Sequence, residues 1–387
     1  MAAQMENMNL NNLDKSGWKS YRFEQIAKSV SERVDPNNTD LKIYVGLEHL
    51  DAENINIKRY GTPDDVDGQK LRCYPGDVIF GKRRAYQRKA AVVDFDGFCS
   101  AHAMVLRANP NVIDPRLFPF FLHSDTFMHR AIDISVGSLS PTINWGTLKT
   151  QEFLLPPKDQ QAKLAELLWA MDAVVEKEMG VLERLDDLKG VLQRISFDKK
   201  DMDYIEISKI AKVYSGGTPN RKIPEFWNGD IPWIKTGEVN YQLITDTEER
   251  ITQLGLQKSA TRLFPKGSIL VAMYGQGVTR GRVAISGISA ACNQACAVIE
   301  VNKGQLPEFI YSYLEYKYEE LRSLAHGANQ QNLNLGMIKS FNFPNLNYEV
   351  QEKIVDELES INNSSSDLIS QISTSKSLQK SLINQIF

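Results

Sequence analysis

The chain contains one pattern twice. QAKLAELL at 161–168 and QEKIVDEL at 351–358 share Gln161 with Gln351, Lys163 with Lys353 and Leu168 with Leu358, each pair 190 positions apart. Upstream, the same series recurs in order: Ile26-Ala27-Lys28 answers Ile210-Ala211-Lys212, Tyr44-Val45 answers Trp233-Ile234, and YPGDVIF answers FPKGSIL. Gly137 to Leu148 then answers Gly327 to Ile338, and each copy closes on an apolar-proline pair, Leu155-Pro156 and Phe343-Pro344. One such match arises by chance, but an ordered series does not. A long repeat period means that one structural unit is used twice. Here each copy reads as a globular domain followed by a long helix.

Periodicity supplies the helices. Over 158–197, Leu164, Leu167, Met171, Val174, Val181, Leu185, Leu188, Leu192 and Ile195 alternate spacings of three and four, broken at Glu178. Over 347–387, Ile354, Leu358, Ile361, Leu368, Ile372, Leu382 and Ile386 do the same, with Ser365, Ser375 and Gln379 at the weaker positions. A sustained 3.5-residue period predicts a coiled-coil seam. Asp159 and Asn347 precede the two runs as caps, and no proline interrupts them. Each helix is expected to be about 55–60 Å long at ~1.5 Å per residue. Antiparallel pairing of the two with each other is favoured over separate docking or a homodimer seam.

The globular halves, 1–157 and 198–346, mix strands with helices. DVIF, AAVVDF and AMVLR in the first, and SILVAMY, RVAIS and CAVIEV in the second, read as strands. PRLFPFFLHSDTFMHRAI and PEFIYSYLEYKYEELRSLA read as helices, so both halves are α+β. The 387 residues, 42% hydrophobic and 24% charged, have the composition of a soluble globular protein. MAAQMENMNL lacks a basic region followed by an apolar one, and no eighteen-residue apolar run occurs, so a cytoplasmic, non-membrane chain is expected. Cys73, Cys99, Cys292 and Cys296 form no CxxC pair and are expected to be buried, reduced thiols. His49, His102, His123, His129 and His326 show no metal-ligand spacing.

A net charge of −3 conceals local basic loops. GKRRAYQRK at 81–89 sits between two predicted strands and carries Lys82, Arg83, Arg84, Arg88 and Lys89 around Tyr86. Its counterpart GQGVTRGR at 275–282 carries Arg280 and Arg282 after Tyr274. Such cations reach phosphates, and arginine also reads guanine edges. The second loop is not a dinucleotide fingerprint: its spacing is GxGxxxG, and a strand follows where a helix is required. GSLSPTINWGTLK and GANQQNLNLGMIK contribute Asn144, Asn329, Gln330 and Gln331, suited to adenine or, equally, to capping turns. SGGTPNRKIPEFWNGDIPWIKTGEV at 215–239 cannot be a regular helix because of Pro219, Pro224 and Pro232. It predicts a shaped loop anchored by Trp227 and Trp233, presenting Thr218, Arg221, Lys222 and Lys235. PDDVDGQK at 63–70 imitates a nuclease motif but crowds its acids into one loop, and no [DN]PP[YF], Walker A or Ser/His/Asp series stands out.

That 215–239 segment, the QxK(L/I)xxxL helix starts and the tandem plan together resemble the specificity subunit of type I restriction-modification systems, over nearly the whole chain. The resemblance implies two target-recognition domains of mixed α/β type, at 1–157 and 198–346, separated by antiparallel helices at 158–197 and 347–387. Each domain would read half of a bipartite double-stranded DNA site. The chain would hold no cofactor and no active site. Two modification subunits would bind S-adenosylmethionine, and restriction subunits would use ATP and Mg. The 215–239 motif has no counterpart in ERVDPNNTDLKIYVGLEHL of the first copy, so it carries over to the second copy alone. A type IIB-like specificity subunit shares the plan; an autonomous DNA-modifying enzyme or a sequence-blind coiled-coil scaffold fits it less well.

Overall fold

The computed structural model describes residues 15–199, 201–275, 278–325 and 332–387, in two compact units. The first comprises the chain to Val181 with Leu368–Phe387, and the second comprises Leu182–Asp367.

In the first unit, Lys19–Arg22 pairs antiparallel with Glu152–Leu155, closing the domain where its chain ends meet. An antiparallel sheet runs in the order Ala27–Val30, Met104–Ala108, Val78–Phe80, Ala90–Val92. A second sheet runs Arg33–Val34, Lys70–Cys73, Gly97–Cys99, Tyr44–Val45, its last pair parallel. The predicted helical stretch is two helices, Phe118–His123 and Asp125–Asp133, split where Ser124 Oγ accepts from Phe127 N. Phe23, Phe118, Phe121, Phe127 and Phe153 stack through edge and tilted contacts, and Phe387 closes on Phe121 at 5.2 Å. Aromatic burial of this kind dominates a core's stability.

The second unit repeats the plan. Tyr204–Glu206 pairs with Asn342–Pro344, again antiparallel. Five strands follow in the order Ala211–Ser215, Cys296–Val301, Ile269–Ala272, Val283–Ser286, Leu243–Ile244. A three-stranded sheet places Trp227–Ile234 between Glu249–Ile251 and Ala291–Cys292, the last pair parallel, as Tyr44–Val45 is to Gly97–Cys99. Here the expected loop is corrected: part of 215–239 is strand. Pro232 is tolerated within it because pairing to Ala291–Cys292 starts at Trp233, so the missing N–H faces no partner on that side.

All four cysteines are buried and free. Among the described residues no helix is long and apolar enough to cross a membrane.

The long helices are Lys158–Phe197 and Tyr348–Ile386. Asn347 caps the second, its Oδ1 accepting from Val350 N at 2.9 Å. The other starts at Lys158, so Asp159 lies inside its first turn and is not the cap that the sequence suggested. In the first unit their halves run antiparallel: Gln379 reaches Leu168 O, while Gln371 and Ser375 donate to Glu178 Oε1 at 2.8 and 3.3 Å. In the second unit Leu192 and Phe197 share a core with Ile354, Val355 and Leu358.

The phase of the first helix corrects the sequence reading. Leu164, Leu168 and Val175 are buried, whereas Val174, Val181, Leu188 and Ile195 are 46–61% exposed. The helix carries apolar doublets, Leu167-Leu168, Val174-Val175 and Val181-Leu182, so two faces about 100° apart show the same period. Packing selects one of them and leaves a second apolar stripe in solvent.

The repeat's glutamines are structural pins. Gln161 Nε2 donates to Val112 O and Pro156 O at 3.0 and 2.9 Å, and Oε1 accepts from Asp114 N at 2.6 Å. Gln351 does the equivalent with Leu346 O, Gln305 Oε1 and Leu306 N. Both side chains are essentially fully buried, so the amide satisfies backbone groups that water cannot reach.

Candidate nucleic-acid interface

Strands Val78–Phe80 and Ala90–Val92 deliver the first basic loop, closed by Gly81 N bonding to Lys89 O at 2.8 Å. Between them Ala85–Gln87 form a single tight turn, bracketed by Arg84 and Arg88, both left-handed with φ of 59° and 53°. Two arginines held in that region store strain of about 1–3 kcal/mol each, which the surrounding contacts must overcome.

Those contacts come from the other predicted segment. Arg84 N donates to Pro141 O at 2.7 Å, and Ile143 N donates to Lys82 O at 2.9 Å. Arg83 Nη2 and Arg84 Nε both donate to Ser140 Oγ, at 3.2 and 3.3 Å. The structure thus brings 81–89 and 137–148 together. Arg84 and Tyr86 are exposed, and Arg83 is half-buried. A cavity of about 270 Å³ opens here, lined by Leu47, Glu48, Arg83, Arg84, Gln87 and Lys89. Burial and the neighbouring Arg33 push the Lys82 ammonium below its usual range. Asn144 is exposed just before the short helix Trp145–Leu148, and its side chain makes no cap.

Two of the predicted DNA contacts have other work. Arg88 is 16% exposed; its guanidinium pairs with Glu53 at 2.9 Å and Asp125 at 2.8 Å and donates to His123 O. Lys89 donates to Leu47 O at 2.7 Å. Arg88 faces inward because the acids that neutralise it, distant in sequence, converge behind the loop.

In the second unit the loop between Ile269–Ala272 and Val283–Ser286 follows the same scheme, with Ala272 N bonded to Arg282 O at 2.9 Å. Arg282 occupies the place of Lys89 and has the same function, donating to Asn240 Oδ1 at 2.6 Å and lying over the Tyr241 ring. Burial, first of all, lifts the Tyr241 hydroxyl to about 12. Tyr274 is exposed and Arg280 half-buried. Asn329, Gln330 and Gln331 lie outside the described residues. Asn334, nearby, is a helix cap, accepting from Met337 N at 3.0 Å.

The 215–239 segment is held by close packing. A Cβ on Gly216 would stand 2.1 Å from Cys292 O, and one on Gly217 2.5 Å from Thr261 N, so only glycine allows this approach. Trp233 is buried, donates to Gly217 O at 3.0 Å, and meets Trp227 edge-on at 5.1 Å. Arg221 stacks over Trp227 at 4.2 Å and pairs with Glu249 at 2.7 Å. Lys235 pairs with Glu248 and Glu249, and Thr218 bonds to Gln294. Of the four residues expected to face a partner, only Lys222 is exposed without an ion pair among the described residues.

Sequence reading missed a shared turn. After Tyr44–Val45 comes Leu47–His49, with His49 Nδ1 accepting from Gly46 N at 3.1 Å; after Trp233-Ile234 comes Thr236–Glu238, with Glu238 accepting from Lys235 N at 2.7 Å. The two copies build one turn from unlike residues, GLEH and KTGE, so no identity could reveal it. Lys89 ties its loop to the first of these turns and Arg282 ties its loop beside the second.

The family model for the type I restriction modification DNA specificity domain matches the chain twice, at residues 15–186 and 199–375. The chain belongs to that family. The specificity subunit of type I restriction enzyme MjaIX from Methanocaldococcus jannaschii is 33% identical over 164 residues, covering 41% of this chain and 37% of that one. The match therefore spans well under half of that relative's length. The HindI specificity subunit of Haemophilus influenzae is 21% identical over 405 aligned positions, covering 81% of this chain and 86% of that one. The S subunit of a type I restriction-modification system from M. genitalium has the same fold, with a TM-score of 0.61 at 14% identity over 97% of this chain and 98% of that one.

Proposed function

We propose that the chain is the non-catalytic DNA-recognition subunit of a type I restriction-modification complex. Each unit reads one half of a bipartite duplex site, and the helix pair sets the unspecified gap. The observation that carries this reading is the duplicated surface: in both units a strand-loop-strand element rich in cations is tied by a basic residue to the turn region after a strand with a parallel neighbour. Duplicated readers on one chain suit a split site, as paired half-sites suit symmetric dimers.

Arg83, Arg84 and Tyr86 in the first unit, with Lys222, Tyr274 and Arg280 in the second, are the proposed DNA contacts, the arginines and lysine serving phosphates or guanine edges. Two modification subunits, bringing S-adenosylmethionine, dock on the helices, and restriction subunits bring ATP and Mg. The exposed apolar residues Val174 and Val181 in the first unit, and Leu188, Val191 and Ile195 in the second, support such docking, because water-facing stripes of this kind mark interaction surfaces.

The test is to express the chain with a modification subunit encoded beside it and to map genomic methylation. A motif of two short specified blocks around an unspecified gap is expected. A continuous motif, or methyl transfer by the chain alone, refutes the reading.

A further inference from the structure

Beside the basic loop stands a small hairpin that the DNA contacts above do not use. Val136 and Thr142 exchange both backbone hydrogen bonds at 3.0 Å, and Gly137, at φ +118°, lets the chain reverse. At its tip Leu139 is 90% exposed, and Val136 at its base is 71% exposed. A lone exposed leucine is unremarkable in a soluble protein. This one is placed beside charge: the neighbouring Ser140 hydroxyl accepts from both Arg83 and Arg84. Gly137, Ser138 and Ser140 leave the tip narrow, with no side chain beside the leucine larger than a hydroxymethyl.

An apolar blade braced by two guanidinium groups fits a polyanion with apolar slots, which describes stacked bases between phosphates. We propose that Leu139 inserts between adjacent base pairs of the half-site read by the first unit, with Arg83 and Arg84 on the flanking phosphates. Apolar wedges of this kind unstack a step and kink the duplex while nearby cations hold the backbone. The inference rests on the DNA-recognition reading and deepens it. It is confined to one half-site, because the residue 190 positions on is Asn329.

The experiment uses the full chain with its modification subunits and duplexes carrying the mapped site. 2-Aminopurine replaces, one at a time, each purine other than the methylated adenine, and its fluorescence reports unstacking. The wild-type complex is expected to brighten at one step in one half-site. Leu139→Ala should abolish that signal and weaken binding roughly ten-fold, as loss of a buried leucine's apolar surface implies, while leaving the salt slope unchanged. Leu139→Phe should keep the signal. No brightening in that half-site, brightening that survives Leu139→Ala, or affinity lost only on replacing thymine by deoxyuridine would each overturn insertion. Failure of the underlying reading would look different, as binding without sequence preference.

Discussion

Arg88 separates two views of the basic loop, a row of phosphate contacts or a loop held from behind by one largely shielded cation. In Arg88→Ala, Glu53 and Asp125 each lose an ion-pair partner, and His123 O loses the charged donor of its hydrogen bond. Such bonds contribute about 1.5–3 kcal/mol each when shielded. Glu53 and Asp125 are 45% and 37% exposed, and Lys380 at 2.6 Å and Asn384 at 2.7 Å remain to serve them. Solvent screening therefore cuts each ion pair to about 1 kcal/mol. With the stranded carbonyl, at about 1–3 kcal/mol, the loss of stability comes to about 3–5 kcal/mol. Arg88→Gly should recover about 1 kcal/mol of this, since the site is left-handed and glycine lacks the Cβ penalty. Urea unfolding measures both. DNA affinity across a salt series then decides between the views. Arg84→Ala should lower the slope of log K against log salt by about 0.9, the value of one phosphate contact. Arg88→Ala should weaken binding without changing that slope. A slope reduced by Arg88→Ala at unchanged stability would refute the account of Arg88 as a shielded hub.

Two further outcomes follow from buried groups. Gln161→Ala strands Asp114 N and the carbonyls of Val112 and Pro156, and should cost about 2–4 kcal/mol in urea unfolding, with Gln351→Ala close behind. Burial lowers His123 from its ordinary 6.5 to about 4, so across that window the unfolded chain takes up a proton that the folded chain refuses. Stability from this site is full above pH ~6.5, falls as pH drops through the window and is spent near pH ~4, at most about 3 kcal/mol in all. Unfolding of His123→Gln compared with the parent at pH ~7 and ~4.5 should show the parent losing more.

The repeat, the two long helices and the strand-loop-strand elements were legible because they rest on local pattern: apolar period, turn residues and ordered identities. What escaped depends on partners remote in sequence. Nothing near Arg88 announces Glu53 or Asp125, so charge alone marked it as a surface contact, and nothing near Arg221, which is exposed, announces its ion pair with Glu249. The phase of the Lys158–Phe197 helix was undecidable from its apolar doublets, since either face satisfies the period until a partner covers one. Conversely, the tryptophans of 215–239 pointed to an anchored segment, and the approach of Cys292 and Thr261 to Gly216 and Gly217 shows how closely it packs.

The central claim is that two readers are spaced by the helix pair. Its most direct test inserts one heptad after Val181 and one after Asp367, keeping both halves of the pair in register, and maps methylation by the resulting complex. Each insertion adds about 10 Å of helix at ~1.5 Å per residue, or up to about three base pairs at the ~3.4 Å per-strand rise. The account predicts that both half-sites keep their bases while the gap between them lengthens. Changed bases in either half-site, or a lengthened helix pair with an unaltered gap, would contradict it.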